Sequence, residues 1–311
     1  MTILYQDPLF ERHQTGKHPE QPARLTHIRT ALERNGLIQQ CAAGTIRAAT
    51  VDELTRLHSA EHVDAVRRFA ERGGGRIESD TVMSRDSWEV AAFAAGTAMA
   101  AVDQVAGGLH RQALCLVRPP GHHAVEESPM GFCLFNNAAL AAEHALRAHD
   151  LDRVLIVDWD VHHGNGTQDL FYKRSDVWFL SVHRYPFYPG SGAATETGTG
   201  DGLGATFNLP LAYGTARQEL LSRFESLLHD AVSRCRPQLI ILSAGFDAHV
   251  RDPIGSLGLE TEDFATLTRL VQQAASSSCD GRLVSLLEGG YDLTALGESV
   301  ALHLETLLAA G

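Results

Sequence analysis

Residues 154–167 read Val-Leu-Ile-Val-Asp-Trp-Asp-Val-His-His-Gly-Asn-Gly-Thr. An apolar run without charge stops at two acids and two histidines, then turns on glycine. If extended backbone continues through it, Asp158, Asp160 and His162 share one face, because side chains alternate along a strand. Three groups able to hold a metal or a proton make a poor core. A buried carboxylate must be paired, hydrogen-bonded or metal-bound. The stretch therefore reads as half of a metal site.

Other candidates sit at comparable points. His122 and His123 follow Arg118-Pro119-Pro120-Gly121, Asp247 follows Ser243-Ala244-Gly245-Phe246, and Tyr291 follows Glu288-Gly289-Gly290. A catalytic zinc takes about three protein ligands and keeps one position open. Asp160, His162 and Asp247 would supply two carboxylates and one imidazole. Asp158 is better used behind a histidine, since a carboxylate orients an imidazole and raises its basicity. His122 and His123 offer a base for a metal-activated water and an acid for a leaving amine. Tyr291 could donate its phenol to an oxyanion. The chemistry that results is metal-assisted hydrolysis of an amide. Blander readings apply elsewhere. His13, His58, His62, His110, His149 and His229 read as solvated polar residues, and His163 and His183 as packing histidines. Asp247 alone would be a turn residue; its place after an apolar strand raises it.

The elements that must position these groups alternate. Apolar strands are expected at 3–5, 113–117, 153–158, 177–182, 206–209, 239–242 and 283–287, with a weaker one at 45–47. Helices are expected at 22–35, 60–72, 86–106, 137–149, 216–234, 262–276 and the C-terminus. Thr50 and Glu53 make a capping-box pattern, Asp86 reads as the cap of the Ala-rich helix, and 77–85 reads as a polar loop. Alternation of this kind means an α/β fold, a parallel sheet covered on both faces. Ligands of such sheets bind beyond the carboxyl ends of the strands. Four strands deliver ionisable groups to that edge. The loop 184–204 is long enough to be functional. Without a linker, repeat or low-complexity segment, one catalytic domain over 1–311 is expected.

Composition narrows the function. The 311 residues, 44% hydrophobic and 21% charged, can build a large core and argue against global disorder. Lys plus Arg is 26 against 38 Asp plus Glu, a net charge of −12. That balance disfavours direct nucleic-acid binding and suits a cationic substrate, although any soluble acidic protein would carry it. Five cysteines without a C-x-x-C read as reduced packing thiols of an intracellular protein. The N-terminus shows no basic region followed by an apolar core. No apolar run approaches the about 18 residues that span a membrane. A cytoplasmic location without membrane contact is expected; a homo-oligomer stays open.

Taken together, the motifs resemble the zinc-dependent histone deacetylase family, in its class II-like branch with the bacterial histone deacetylase-like and acetylpolyamine amidohydrolases. The resemblance runs almost end to end, through residues 15–24, 118–124, 131–133, 158–167, 243–247 and 288–291. It implies the arginase/deacetylase fold, a three-layer α/β/α sandwich around a largely parallel sheet of about eight strands. It implies one zinc ion held by Asp160, His162 and Asp247. His123 would be the main base and acid, His122 its electrostatic partner bonded to Asp158, and Tyr291 the group that polarises the carbonyl. Phe132 and Tyr188 match the two aromatic walls of an acyl-lysine tunnel, beside Gly131. Asn165 stands where other branches have an aspartate bonded to the second histidine. Asp80 matches an acid that grips the substrate backbone. A structural potassium ion would use Asp158, Asp160, His162, Ser181 and Val182. Ile254 falls where a polyamine-selective branch has a glutamate, which favours acylated lysine in a protein or peptide over acetylated polyamine.

Three alternatives stand beside this reading. An acetylpolyamine amidohydrolase differs only in substrate. An arginase-like binuclear manganese hydrolase would need more bridging carboxylates. A non-catalytic acyl-lysine reader would need neither a base nor an oxyanion donor.

Overall fold

In the computed structural model, which describes residues 2–309, the strands are β1 (Thr2–Tyr5), β2 (Ala42–Ala43), β3 (Gly74–Arg76), β4 (Val82–Ser84) and β5 (Gln112–Cys115). They continue as β6 (Val154–Asp158), β7 (Val177–Arg184), β8 (Thr206–Leu211), β9 (Leu239–Ala244) and β10 (Leu283–Leu287). The helices are α1 (Ala23–Arg34), α2 (Val51–Leu54), α3 (Ala60–Glu71), α4 (Ser87–Ala106) and α5 (Asn137–Ala148). After them come α6 (Asn165–Phe171), α7 (Arg217–Cys235), α8 (Thr261–Ser278) and α9 (Leu293–Ala309). β6, β9 and β10 are buried at every residue, as a sheet covered on both faces demands.

Eight strands form one parallel sheet in the order β2-β1-β5-β10-β9-β6-β7-β8. Helices α4 and α5 pack together against β5, β6, β9 and β10; α1, α7, α8 and α9 pack as a second set. Right-handed crossovers account for the two sets, because α5 carries the chain one way along the sheet, from β5 to β6, while α7 and α8 carry it the other way, from β8 to β9 and from β9 to β10. β6 and β9 are neighbours, in register from Val154–Leu239 to Asp158–Ser243, and their connections leave in opposite directions. A crevice opens above the carboxyl ends of such a pair, where open α/β sheets bind ligands. Asp160 and His162 follow β6 and Asp247 follows β9, so topology alone brings them together.

Several expectations need correction. The weak strand at 45–47 lies instead at Ala42–Ala43, paired with Ile3 and Leu4. The chain then leaves the sheet to lie on α4, where the Ala49 N–H donates to Ala92 O at 2.8 Å. The polar segment 77–85 contributes β4, half of a two-stranded ribbon with β3. Glycines at 74 and 75 and the ribbon's exposure removed the alternation that would have marked it. Asp86 is already helical at its own φ and ψ and makes no cap bond; it pairs with Arg12 Nε at 3.1 Å. The Thr50–Glu53 capping box is present. His13, His58 and His62 are buried, not solvated. His58 Nδ1 bonds Val125 O at 2.9 Å while its Nε2 accepts from Asn136 N at 3.0 Å, and His62 Nε2 bonds Leu134 O at 2.9 Å. Both hold down the segment after His123, which covers them. All five cysteines are free, four of them buried. No helix among the described residues is long and apolar enough to cross a membrane.

Candidate active site

The spacing Asp158, Asp160, His162 works through turns, not through the pleat. β6 ends at Asp158. Asp158 Oδ1 then accepts from Asp160 N at 3.0 Å, and Asp160 Oδ1 accepts from His162 N at 2.9 Å. Each acid bonds the backbone two residues on, as Asx turns do. Turns, and not the expected strand alternation, bring these side chains to their places. Asp158 ends up behind His122, with Oδ2 accepting from its Nδ1 at 2.9 Å, while Asp160 and His162 turn toward β9.

There Asp247 joins them. One ligand-type atom from each of Asp160, His162 and Asp247 lies within 4.8 Å of the others, and all three residues are buried. The backbone aims both carboxylates: Val161 N donates to Asp247 Oδ1 at 2.8 Å, and Gly289 N to Asp160 Oδ2 at 2.9 Å. Gly289 must be glycine, because a Cβ there would overlap Asp247 Oδ2 and Asp160 Oδ2. His162 Nδ1 lies 3.0 Å from Asp160 Oδ1 and 3.2 Å from Asp247 Oδ2. It bonds the first, leaving Asp247 Oδ2 buried with no hydrogen-bond partner among the described residues.

The electrostatics match that imbalance. Burial disfavours charge on His162, yet Asp160 and Asp247 hold its proton and raise its pKa to about 10. Burial and the neighbouring Asp160 push the Asp247 carboxyl upward. Two oxygens and one imidazole nitrogen, one oxygen unpartnered, are a donor set that fits a zinc-type ion.

The two histidines beside this cluster lie 3.9 Å apart between ring centroids, tilted by 42°, and are driven apart in pKa. Burial opposes charge on His122, but Asp158 and Asp160 raise it to about 10. Burial and the positive His122 and His162 rings push His123 well below the ordinary histidine value. His123 Nδ1 lies 2.7 Å from Asn165 Oδ1. An amide oxygen only accepts, so Nδ1 carries the proton and Nε2 keeps a lone pair.

Asp80, His123, Gly131, Phe132, His162, Phe187, Tyr188, Ile254 and Tyr291 line a cavity of about 220 Å³. Hollows of about 420 and 440 Å³ elsewhere are walled mostly by charged side chains and lack the ligand cluster. Phe132 and Tyr291 meet edge to face at 5.8 Å, as do Tyr188 and His123 at 5.2 Å. Gly131, at φ +54, packs against the His123 ring, so a side chain there would meet it. Burial and the Asp80 carboxylate raise the Tyr188 phenol. Tyr291 is raised as well, by burial and by Asp247. Of the oxygen set expected around Asp158, Ser181 is its register partner on β7, with Val182 next along; Ser181 Oγ is bonded to His183 Nδ1 at 2.9 Å.

Sequence reasoning missed five residues around the site. Phe187 stacks on His162 at 5.3 Å. Asp252 takes four backbone bonds: Oδ1 accepts from Ile254 N and Gly255 N at 2.9 Å each, Oδ2 from Tyr291 N at 2.7 Å and Asp292 N at 3.4 Å. Glu288 Oε2 accepts from Gly121 N at 2.7 Å and His122 N at 3.2 Å. Its burial raises it to about 7 despite the nearby His122. Arg24 is wholly buried beneath the Tyr291 ring at 5.1 Å and donates to Gly290 O at 2.7 Å and Glu288 O at 2.5 Å. Glu20 pairs with Arg24 and Arg118 below it. Arg24 and Glu20 had a signal in the 15–24 motif; Glu288 and Asp252 sat next to Gly289 and Ile254 and were passed over.

The comparisons agree with this geometry. The histone deacetylase domain family matches residues 18–307. The chain is 38% identical to "Histone deacetylase 14, chloroplastic" of Arabidopsis thaliana, over 98% of this chain and 76% of that one. It is 40% identical to "Polyamine deacetylase HDAC10" of Homo sapiens, over 98% of this chain and 46% of that protein. The crystal structure of an HDA15 HD domain superposes with a TM-score of 0.94 at 36% identity, covering 99% of this chain and 88% of that one. The chain belongs to the histone deacetylase family and is a hydrolytic deacetylase acting on an amide bond.

Proposed function

We propose that this deacetylase is a zinc enzyme of one catalytic domain that removes acetyl groups from the ε-amine of lysine in proteins or peptides. The observation that carries the reading is the buried, unpartnered Asp247 Oδ2 beside Asp160 and His162, at the base of an aromatic-walled cavity. Asp160, His162 and Asp247 would hold the ion. When bound, it supplies Lewis-acid chemistry, polarising the amide carbonyl and acidifying water.

The remaining roles belong to the chain. Nε2 of His123, kept free of its proton by the Asn165 bond, takes the proton from the attacking water. His122 stays protonated against Asp158 and lends positive charge to the developing oxyanion. With their pKa values pushed apart, His123 is left to carry the proton in both directions while His122 keeps its charge. The Tyr291 phenol donates to the same oxyanion from the other wall. His123 then returns its proton to the leaving nitrogen, so water's hydroxide ends on the acyl carbon and its proton on the amine. Phe132, Phe187 and Tyr188 exclude water around the aliphatic stem. Asp80 at the lining offers a carboxylate to the peptide backbone. A potassium ion against Asp158, Asp160, His162, Ser181 and Val182 is proposed as structural, supported by the pairing of Ser181 with Asp158.

A second reading, acetylpolyamine hydrolysis, draws on the identity to the human relative named a polyamine deacetylase. Ile254 weighs against it, since an apolar residue in the cavity lining cannot pair with a second ammonium. Rates on an acetyl-lysine peptide and on acetylspermidine, measured side by side, decide the matter. The lysine reading expects the peptide to be the better substrate in kcat/KM; a preference for acetylspermidine would replace it.

A further inference from the structure

One cluster outside the cavity brings ligand-type atoms to a point. Asp103, in the last turn of α4, has Oδ1 2.7 Å from Nε2 of His144 and 2.9 Å from Nε2 of His149. His144 lies near the end of α5 and is buried; His149 caps that helix. One ligand-type atom from each residue falls within 4.8 Å of the other two. Two rings aimed at a single carboxylate oxygen form a focus that a simple side-chain pair would not need. Nδ1 of His144 is buried with no hydrogen-bond partner among the described residues. Asp103 accepts the proton on Nε2, so the partnerless Nδ1 is the nitrogen to which that proton can move when Nε2 takes an ion. The last turns of α4 and α5 meet at this point, and helix C-termini carry partial negative charge that favours a cation. The Asp103 side chain is 40% exposed, which leaves a solvent side where water can complete a coordination shell.

We propose that Asp103, His144 and His149 form a second metal site, for a first-row divalent ion of the zinc class, that staples α4 to α5. Two imidazoles and one carboxylate select such ions over magnesium or calcium, which prefer an all-oxygen shell. The site shares no residue with the catalytic cluster. Binding Nε2 moves the His144 proton to Nδ1, where it is buried and unpaired, so this site is the weaker of the two and fills second. It acts on stability, since an ion that binds only the folded chain raises its Tm.

The test is the zinc content of metal-stripped full-length protein equilibrated with excess zinc, with a thermal melt on the same samples. Wild type is expected to hold two ions per chain, and His149→Ala and Asp103→Asn one each, with deacetylase activity unchanged. At tenfold excess over the dissociation constant the ion should raise the wild-type Tm by roughly 2 °C more than that of His149→Ala. One ion in wild type and one in both variants would overturn the proposal, as would two in all three. Counts of one and zero would support it while contradicting the zinc assignment at the catalytic cluster.

Discussion

Two buried charge clusters lie one above the other in this protein, and they are built on opposite terms. In the lower one, Glu20 is surrounded by cations: Oε1 accepts from Arg24 Nη1 at 3.2 Å and from Arg118 Nε, and Oε2 from Arg118 Nη2 at 2.7 Å. The guanidiniums use their other donors on the carbonyls of Phe10, His13, Glu288 and Gly290. The hydrogen bonds close within the chain. In the upper one, Asp160 and Asp247 both face one imidazole nitrogen, which bonds Asp160 and leaves Asp247 Oδ2 without a hydrogen bond among the described residues. The lower cluster also holds the turn that presents Tyr291. Complete hydrogen bonding makes the rigid footing here, and an unbonded carboxylate oxygen marks the site.

The contrast can be broken by substitution. Asp247→Asn should lower kcat/KM on an acetyl-lysine peptide by at least about 10³-fold, because the ion loses a ligand. In metal-stripped protein the same change should cost no stability in urea, since it removes a carboxylate crowded by another. Glu20→Gln should do the reverse, costing ~3–5 kcal/mol in urea because two buried guanidiniums lose their counter-ion. Equal destabilisation by the two substitutions in stripped protein would erase the distinction.

Smaller effects sharpen it. Tyr291→Phe should reduce kcat by roughly 10²-fold with KM little changed, as expected for a donor that acts on the transition state; a change confined to KM would move Tyr291 into ground-state binding. Burial alone would raise the Glu20 carboxyl, but Arg118 and Arg24 bring it from the ordinary 4.5 down to about 2. That depression contributes about 3 kcal/mol, complete above pH about 4.5 and lost as pH falls through about 2. The stability gap between wild type and Glu20→Gln should therefore narrow as pH drops across that window; a constant gap would mean that shape, not charge, holds the cluster. The smallest effect concerns Asn165→Asp. A carboxylate against Nδ1 raises the basicity of His123, so the acid limb of the kcat/KM profile should move to higher pH. An unmoved limb would assign it to another group.

The open cluster was legible in the sequence and the closed one was not, for a physical reason. Asp158, Asp160, His162 and Asp247 follow apolar strands of a parallel sheet, and the edge where such strands end is known before any contact is. Even there the geometry differed, since an i, i+2 spacing serves an Asx turn as well as a pleat. Arg24 shares its face of α1 with the buried Ile28 and Ala31, but an arginine there shows no partner until the fold supplies one. Its burial depends on the turn at Glu288–Gly290, some 260 residues on. His58 and His62 were misread for the same cause: the segment that covers them comes after His123. Seven of the eight sheet strands were found in place, but the eighth lies at Ala42–Ala43 and not at 45–47, and the glycine-rich β3–β4 ribbon left no alternation to read.

The central claim is that Asp160, His162 and Asp247 are brought together to hold a metal ion that the deacetylase reaction requires. Titrating zinc into chelator-stripped protein while following acetyl-lysine peptide hydrolysis tests it most directly. Activity should be absent in the stripped protein and return with the first equivalent of zinc. Full activity in the stripped protein would contradict the account.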